Sequence, residues 1–150
     1  MIVYLVWVSA LVTVFSDWLT EIEEPYRDRR IERWRSRARA KRPPLHEALA
    51  SAASGRVAER RQAAKILGVL DEDEVPESER EALVRALLAL SDDPDPLVGA
   101  EGLKALGSQS NLVEGDRVSS VFACLLKHLD DGDAPRRRAA AEAIAWFGLP

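Results

Sequence analysis

An internal repeat of roughly forty residues constrains this chain more than any other feature. Three segments align without gaps: VAERRQAAKILG at 57–68, PLVGAEGLKALG at 96–107 and RRAAAEAIAWFG at 137–148. Each ends in glycine, at Gly68, Gly107 and Gly148, so the spacing is 39 and then 41 residues. Small residues occupy the middle of each (Ala63 and Ala64, Ala100 and Gly102, Ala141 and Ala143), and bulky apolar ones the last turn. Ahead of each lies a second stretch: PLHEALASAAS at 44–54, SEREALVRALLALSD at 78–92 and DRVSSVFACLLKHLD at 116–130. A unit this small cannot bury its apolar face alone. Stacked neighbours supply the core, and about three units is the practical minimum.

The periodicity within each unit is helical. Leu83, Ala86, Leu87 and Leu90 fall on one face, as do Val118, Val121, Phe122, Leu125, Leu126 and Leu129. Ala, Leu, Arg and Glu dominate while Thr, Tyr, Phe and Ile are scarce, which favours helix over sheet. Asp95 before Pro96 is a strong helix start, because the carboxylate can accept free N–H groups and proline at the first position needs no donor. Asp116 and Asp133 can act alike. The terminal glycines are expected as left-handed caps, and the small central residues as points where helix axes approach. The expected fold is all-α.

This arrangement resembles the HEAT-repeat family over residues 43–150. The likeness includes the turn before the second helix, SDDPDPLVGAEGLKALG, with another copy at Asp133-Ala134-Pro135. The first repeat departs from it, because Ser54-Gly55-Arg56 replaces the Asp-Pro turn and leaves its register open. The resemblance implies a short right-handed α-solenoid of about three helical hairpins, whose second helices line a concave face. It also implies a protein partner there, with Arg60, Arg61, Lys65, Lys104, Arg137 and Arg138 as candidate contacts. Ordinary solvated positions are the alternative for these six. Their basic character on an acidic domain, which has 12 basic and 19 acidic side chains over residues 43–150, points to an acidic partner.

Two further segments precede the repeats. Met1 to Ser16 has no charged side chain and is apolar all round, as lipid or a deep core demands. A helix through Leu19 would be roughly 28 Å long, about the hydrocarbon thickness of a bilayer. Trp18 and Tyr26 sit where an interfacial aromatic belt falls. A secretory signal is excluded by the missing positive start and by Val8-Ser9-Ala10, which would leave too short an apolar core. Residues 1–24 are thus expected as a transmembrane helix, Phe15, Trp18, Leu19 and Ile22 continuing it amphipathically to Pro25. The rival is a hydrophobic helix docked into a protein partner, since Asp17 interrupts the run.

Residues 25–42 follow as a basic juxtamembrane helix. Positions 27–42 hold nine Arg or Lys against Asp28 and Glu32, a net +7 beside −4 for residues 1–26 and −7 for the repeats. Ile31, Trp34 and Ala38 make one thin apolar stripe. Such a helix beside an apolar span is attracted to anionic lipid, each cation contributing about 1 kcal/mol. The expected lipid-facing residues are Arg27, Arg29, Arg30, Arg33, Trp34, Arg35, Arg37 and Arg39. The charge asymmetry places the N-terminus outside and the repeat domain in the cytoplasm. A solvated helix and a phosphate-binding nucleic-acid segment are the other readings, the last the least favoured.

Little points to chemistry. His46 and His128, the two histidines, make no metal-ligand spacing with each other or with Cys124. His128 follows Cys124 by one turn, a spacing open to a two-ligand site, but the favoured reading is a core thiol beside a partly exposed histidine. With one cysteine no internal disulfide is possible. No catalytic set or phosphate loop stands out, and Asp71-Glu72-Asp73-Glu74 reads as a solvated connector. The chain is expected to be a non-enzymatic scaffold without cofactor. Its apolar end, Trp146 and Phe147, is expected to fold back onto the third repeat, the alternative being contact with a partner or a second copy.

Overall fold

The computed structural model describes residues 41–148, with Ser36 and Arg39 before them. Among these are six α-helices: α1 (Leu45–Ala52), α2 (Val57–Leu67), α3 (Glu77–Ser91), α4 (Pro96–Ser108), α5 (Arg117–Leu129) and α6 (Ala134–Trp146). Two short 3-10 turns, Glu72–Glu74 and Ser110–Leu112, lead from one hairpin to the next. No strand occurs among the described residues. The architecture is the expected all-α stack of hairpins, α1–α2, α3–α4 and α5–α6. The apolar run of residues 1–24 lies outside the described residues, as do Arg27, Arg29, Arg30, Arg33, Trp34, Arg35 and Arg37. Arg39 is described and half-buried. Among the described residues no helix is long and apolar enough to cross a membrane.

Each hairpin closes through a turn of the same length, with a backbone N–H donating to the side chain two residues before it. The turns are Ala53–Arg56, Asp92–Asp95 and Asp130–Asp133. In the second, the Asp95 N–H donates to Asp93 Oδ1 at 2.9 Å, and in the third the Asp133 N–H donates to Asp131 Oδ1 at 2.8 Å. In the first, the Arg56 N–H donates to Ser54 Oγ at 3.1 Å. A serine hydroxyl therefore replaces the carboxylate, a weaker version of the same local turn. This fixes the register that the sequence left open. Asp95 caps α4 as anticipated, accepting from the N–H groups of Leu97 and Val98 at 3.0 and 3.1 Å. Asp116 and Asp133 occupy the corresponding positions without a side-chain cap.

The core is aliphatic. Leu67, Leu83, Leu87, Leu90, Leu103, Leu106, Leu112 and Leu125 are fully buried, each contributing roughly 1.5–3 kcal/mol from burial. From hairpin to hairpin the helices pack unequally. The second helices α2, α4 and α6 pack extensively in a row, whereas α1, α3 and α5 touch one another sparsely. Glycine and alanine explain the difference. A Cβ on Gly68 would stand 2.8 Å from Ala105 Cβ, and one on Gly107 would stand 2.7 Å from Ala143 Cα. The two glycines expected as left-handed caps are thus close-approach points instead: Gly68 has φ −75°, and Gly107 lies inside α4. Gly148 alone of the three is left-handed, at φ +64°.

The C-terminal end divides. Phe147 folds back and packs on Phe122 with ring centroids 5.1 Å apart. Trp146 does not: it is 67 % exposed.

Candidate interaction face and inter-repeat polar network

The six candidate contacts prove to have different surroundings. Arg60, on α2, is committed to the scaffold. Its Nε and Nη2 donate to Asp93 Oδ2 and Oδ1 at 2.6 and 3.1 Å, and its Nη1 donates to the Ser54 carbonyl at 3.1 Å. This fork ties the first hairpin to the turn of the second. Burial would raise the Asp93 carboxyl, but the Arg60 hydrogen bonds and the Asp95 N–H outweigh it and hold it below the usual carboxylate range.

Arg61, Lys65 and Lys104 come together. Arg61 Nη2 and Lys65 Nζ lie 3.6 and 4.0 Å from the same oxygen of Glu101, on α4. Lys65, Glu101 and Lys104 rim a shallow groove of about 390 Å³ between α2 and α4, floored by Ala64, Gly68 and Ala105. The Arg61 and Lys65 side chains are 40 % and 47 % exposed. Pairs this exposed contribute about 0–1 kcal/mol, so they are easily given up to another acidic group.

Arg137 and Arg138 stand apart on the first turns of α6. Arg137 Nη1 donates to the carbonyls of Asp131 and Gly132 at 2.8 and 2.9 Å, and Arg138 Nε donates to Glu142 at 2.7 Å on its own helix. One cation between the hairpins that sequence reasoning missed is Arg136. It donates to the Asp93 carbonyl and reaches Asp131 Oδ2 at 3.4 Å. Gly99 leaves the room for it, since a Cβ there would meet Arg136 Nε at 2.6 Å.

His128 is also placed differently from expectation. It is buried, at 2 % exposure, not partly exposed. Its Nε2 faces Asp92 Oδ1 and its Nδ1 faces Asp131 Oδ2, each at 3.0 Å. Lys127 Nζ also reaches Asp92 Oδ1, at 2.6 Å. Cys124 is buried as anticipated, and burial pushes its thiol up to about 11.

Asp131 gathers these links. The Asp133 N–H, then His128 and Arg136, hold its carboxyl at about 2. A depressed carboxylate stabilises the fold above its unfolded-state value and loses that contribution as pH falls through the folded value. Asp131→Asn is therefore expected to be less stable than the parent at pH 7. In chemical-denaturation curves the gap should narrow between pH 4 and about 2. A gap that stayed constant over that window would show that charge is not what Asp131 supplies.

A family model described as HEAT repeats matches residues 42–149. Comparison with curated proteins and with solved structures returned no match.

Proposed function

Because the chain belongs to the HEAT-repeat family, we propose that it is a membrane-tethered scaffold that holds a protein partner against its second-helix face. HEAT repeats mediate protein–protein interaction, and stacked repeats offer extended surfaces for it. The observation that carries the reading is the groove between α2 and α4, where Lys65 and Lys104 present exposed cations beside an apolar floor. An acidic, partly apolar segment matches it: its carboxylates would take Lys65 and Arg61 from Glu101, and its apolar side chains would meet Gly68 and the exposed Val69. Arg137 and Arg138 would extend the contact towards the third hairpin.

The tether is residues 1–24, supported by the uncharged run of Met1–Ser16, and the basic residues 27–42 would rest on anionic lipid. This orients the repeats into the cytoplasm. A soluble assembly subunit, its apolar helix seated in a protein groove, is the competing reading and predicts a different result. The full chain and a version lacking residues 1–20 should be expressed side by side and their membranes washed with alkaline carbonate. Only the full chain should stay with the membrane. If both wash off, the tether is wrong and the apolar helix belongs in a protein.

A further inference from the structure

We propose that Asp92, Cys124 and His128 form a zinc site that staples the second hairpin to the third. One ligand atom from each lies within 4.8 Å of those of the other two. Carboxylate oxygen, thiolate sulfur and imidazole nitrogen are together a zinc donor set. Cys124 and His128 stand one turn apart on α5, hence on the same face. Asp92 arrives from the C-terminus of α3, 36 residues from His128 in sequence.

The surroundings suit an ion. His128 has Nδ1 against Asp131, which leaves Nε2 directed at the cluster. A carboxylate on the far nitrogen is what fixes the tautomer and orientation of a metal-bound imidazole. Asp131 is itself held by the Asp133 N–H and Arg136. Tetrahedral zinc keeps such donors about 3.3–3.7 Å apart. The widest gap must therefore close by about 1 Å, and the Asp92–His128 pair must open slightly. Lys127, now on Asp92, has a side chain 63 % exposed and can turn to solvent. The Asp92 side chain is 50 % exposed, which provides a path in and a fourth position for water.

The charges balance. Binding releases the Cys124 proton to solvent, together with the Nε2 proton where His128 carries one. The thiolate and the Asp92 carboxylate then offset the two charges of the ion. Before binding, burial keeps the thiol protonated and inert. The site also has a mechanical logic. It bridges α3 to α5 in the sparsely packed row, where one metal would add more constraint than any side-chain pair present.

The rival occupant of the gap is a proton, with imidazolium donating to Asp92 and Asp131 at once. Cobalt separates the two. The full-length chain, purified in detergent micelles under reducing conditions, should be titrated with Co²⁺ as the probe. A thiolate-to-cobalt charge-transfer absorption should appear at one equivalent, and stoichiometric Zn²⁺ should bleach it. Cys124→Ser should abolish it. Asp92→Asn, at an exposed position that carries no core packing, should weaken cobalt binding at least about tenfold, and Asp131→Asn about 10–100-fold. No thiolate absorption in a large excess of cobalt would overturn the proposal. So would an absorption that Asp92→Asn leaves unchanged, because the metal would then sit elsewhere.

Discussion

Gly102→Leu should leave the domain unable to fold cooperatively, and even Gly102→Ala should destabilise it by about 1–2 kcal/mol net. The sign of the alanine result is the informative part. Inside an unconstrained helix, glycine to alanine is favourable by about 1 kcal/mol. Here a Cβ would stand 2.7 Å from the Ser91 nitrogen and 2.8 Å from the Leu90 carbonyl carbon. Those are backbone atoms of α3, so no side chain can rotate away and the helices must separate. Overpacking of that kind costs about 1–3 kcal/mol, and a rigid neighbour puts it at the upper end. Gly132→Ala is the control, since nothing lies within 4 Å of its added carbon and its φ is not positive. Guanidinium unfolding followed by circular dichroism should show Gly132→Ala within about 0.5 kcal/mol of the parent. A Gly102→Ala protein more stable than the parent would remove close approach as the reason for that glycine.

The second large effect is expected at Gln109. This side chain is 2 % exposed, just past α4, and its Nε2 donates to the carbonyls of Leu67 and Leu70 at 2.9 and 3.0 Å. It therefore satisfies the end of α2 from a neighbouring hairpin, a task normally done by residues of the same helix. Gln109→Leu keeps the volume and removes both donors. Each orphaned buried carbonyl costs about 1–3 kcal/mol, so the loss should be about 3 kcal/mol. Hydrogen exchange should show the α2 end opening before the rest of that helix. A loss under about 0.5 kcal/mol would mean that water replaces the amide there.

The repeat period, the helical faces and the Asp95–Pro96 start were legible because they rest on local chemistry: spacing, capping and the missing proline N–H. Most of what stayed hidden depends on partners far along the chain. The glycines looked like caps because they end each repeated motif, yet Gly68 and Gly107 answer to Ala105 and Ala143 in the next unit. Ser54 broke the Asp-Pro pattern in letters but not in hydrogen bonding, since a hydroxyl accepts the same N–H. Arg60 looked free because its counter-charge, Asp93, is 33 residues away. His128 carries a polar ring on a mostly apolar helix face; Asp131 lies three residues on, but only stacking reveals Asp92, the second carboxylate that makes its burial tolerable. The groove was partly legible. Lys65 and Lys104 occupy repeated positions on successive second helices, but Glu101 between them had drawn no notice.

The unequal packing of the two helix rows has a mechanical consequence. Along α2, α4 and α6 the spacing is set by glycine and alanine in hard contact, so that row behaves as an inextensible backing strip. The row of α1, α3 and α5 is loosely joined and can open or close like the free edge of a leaf spring. Bending then changes the curvature of the stack while barely altering distances along the tight row. A partner lying on that row would meet a ruler of constant length and adjustable camber, and a cross-link in the loose row, such as one between Asp92 and His128, would set the camber.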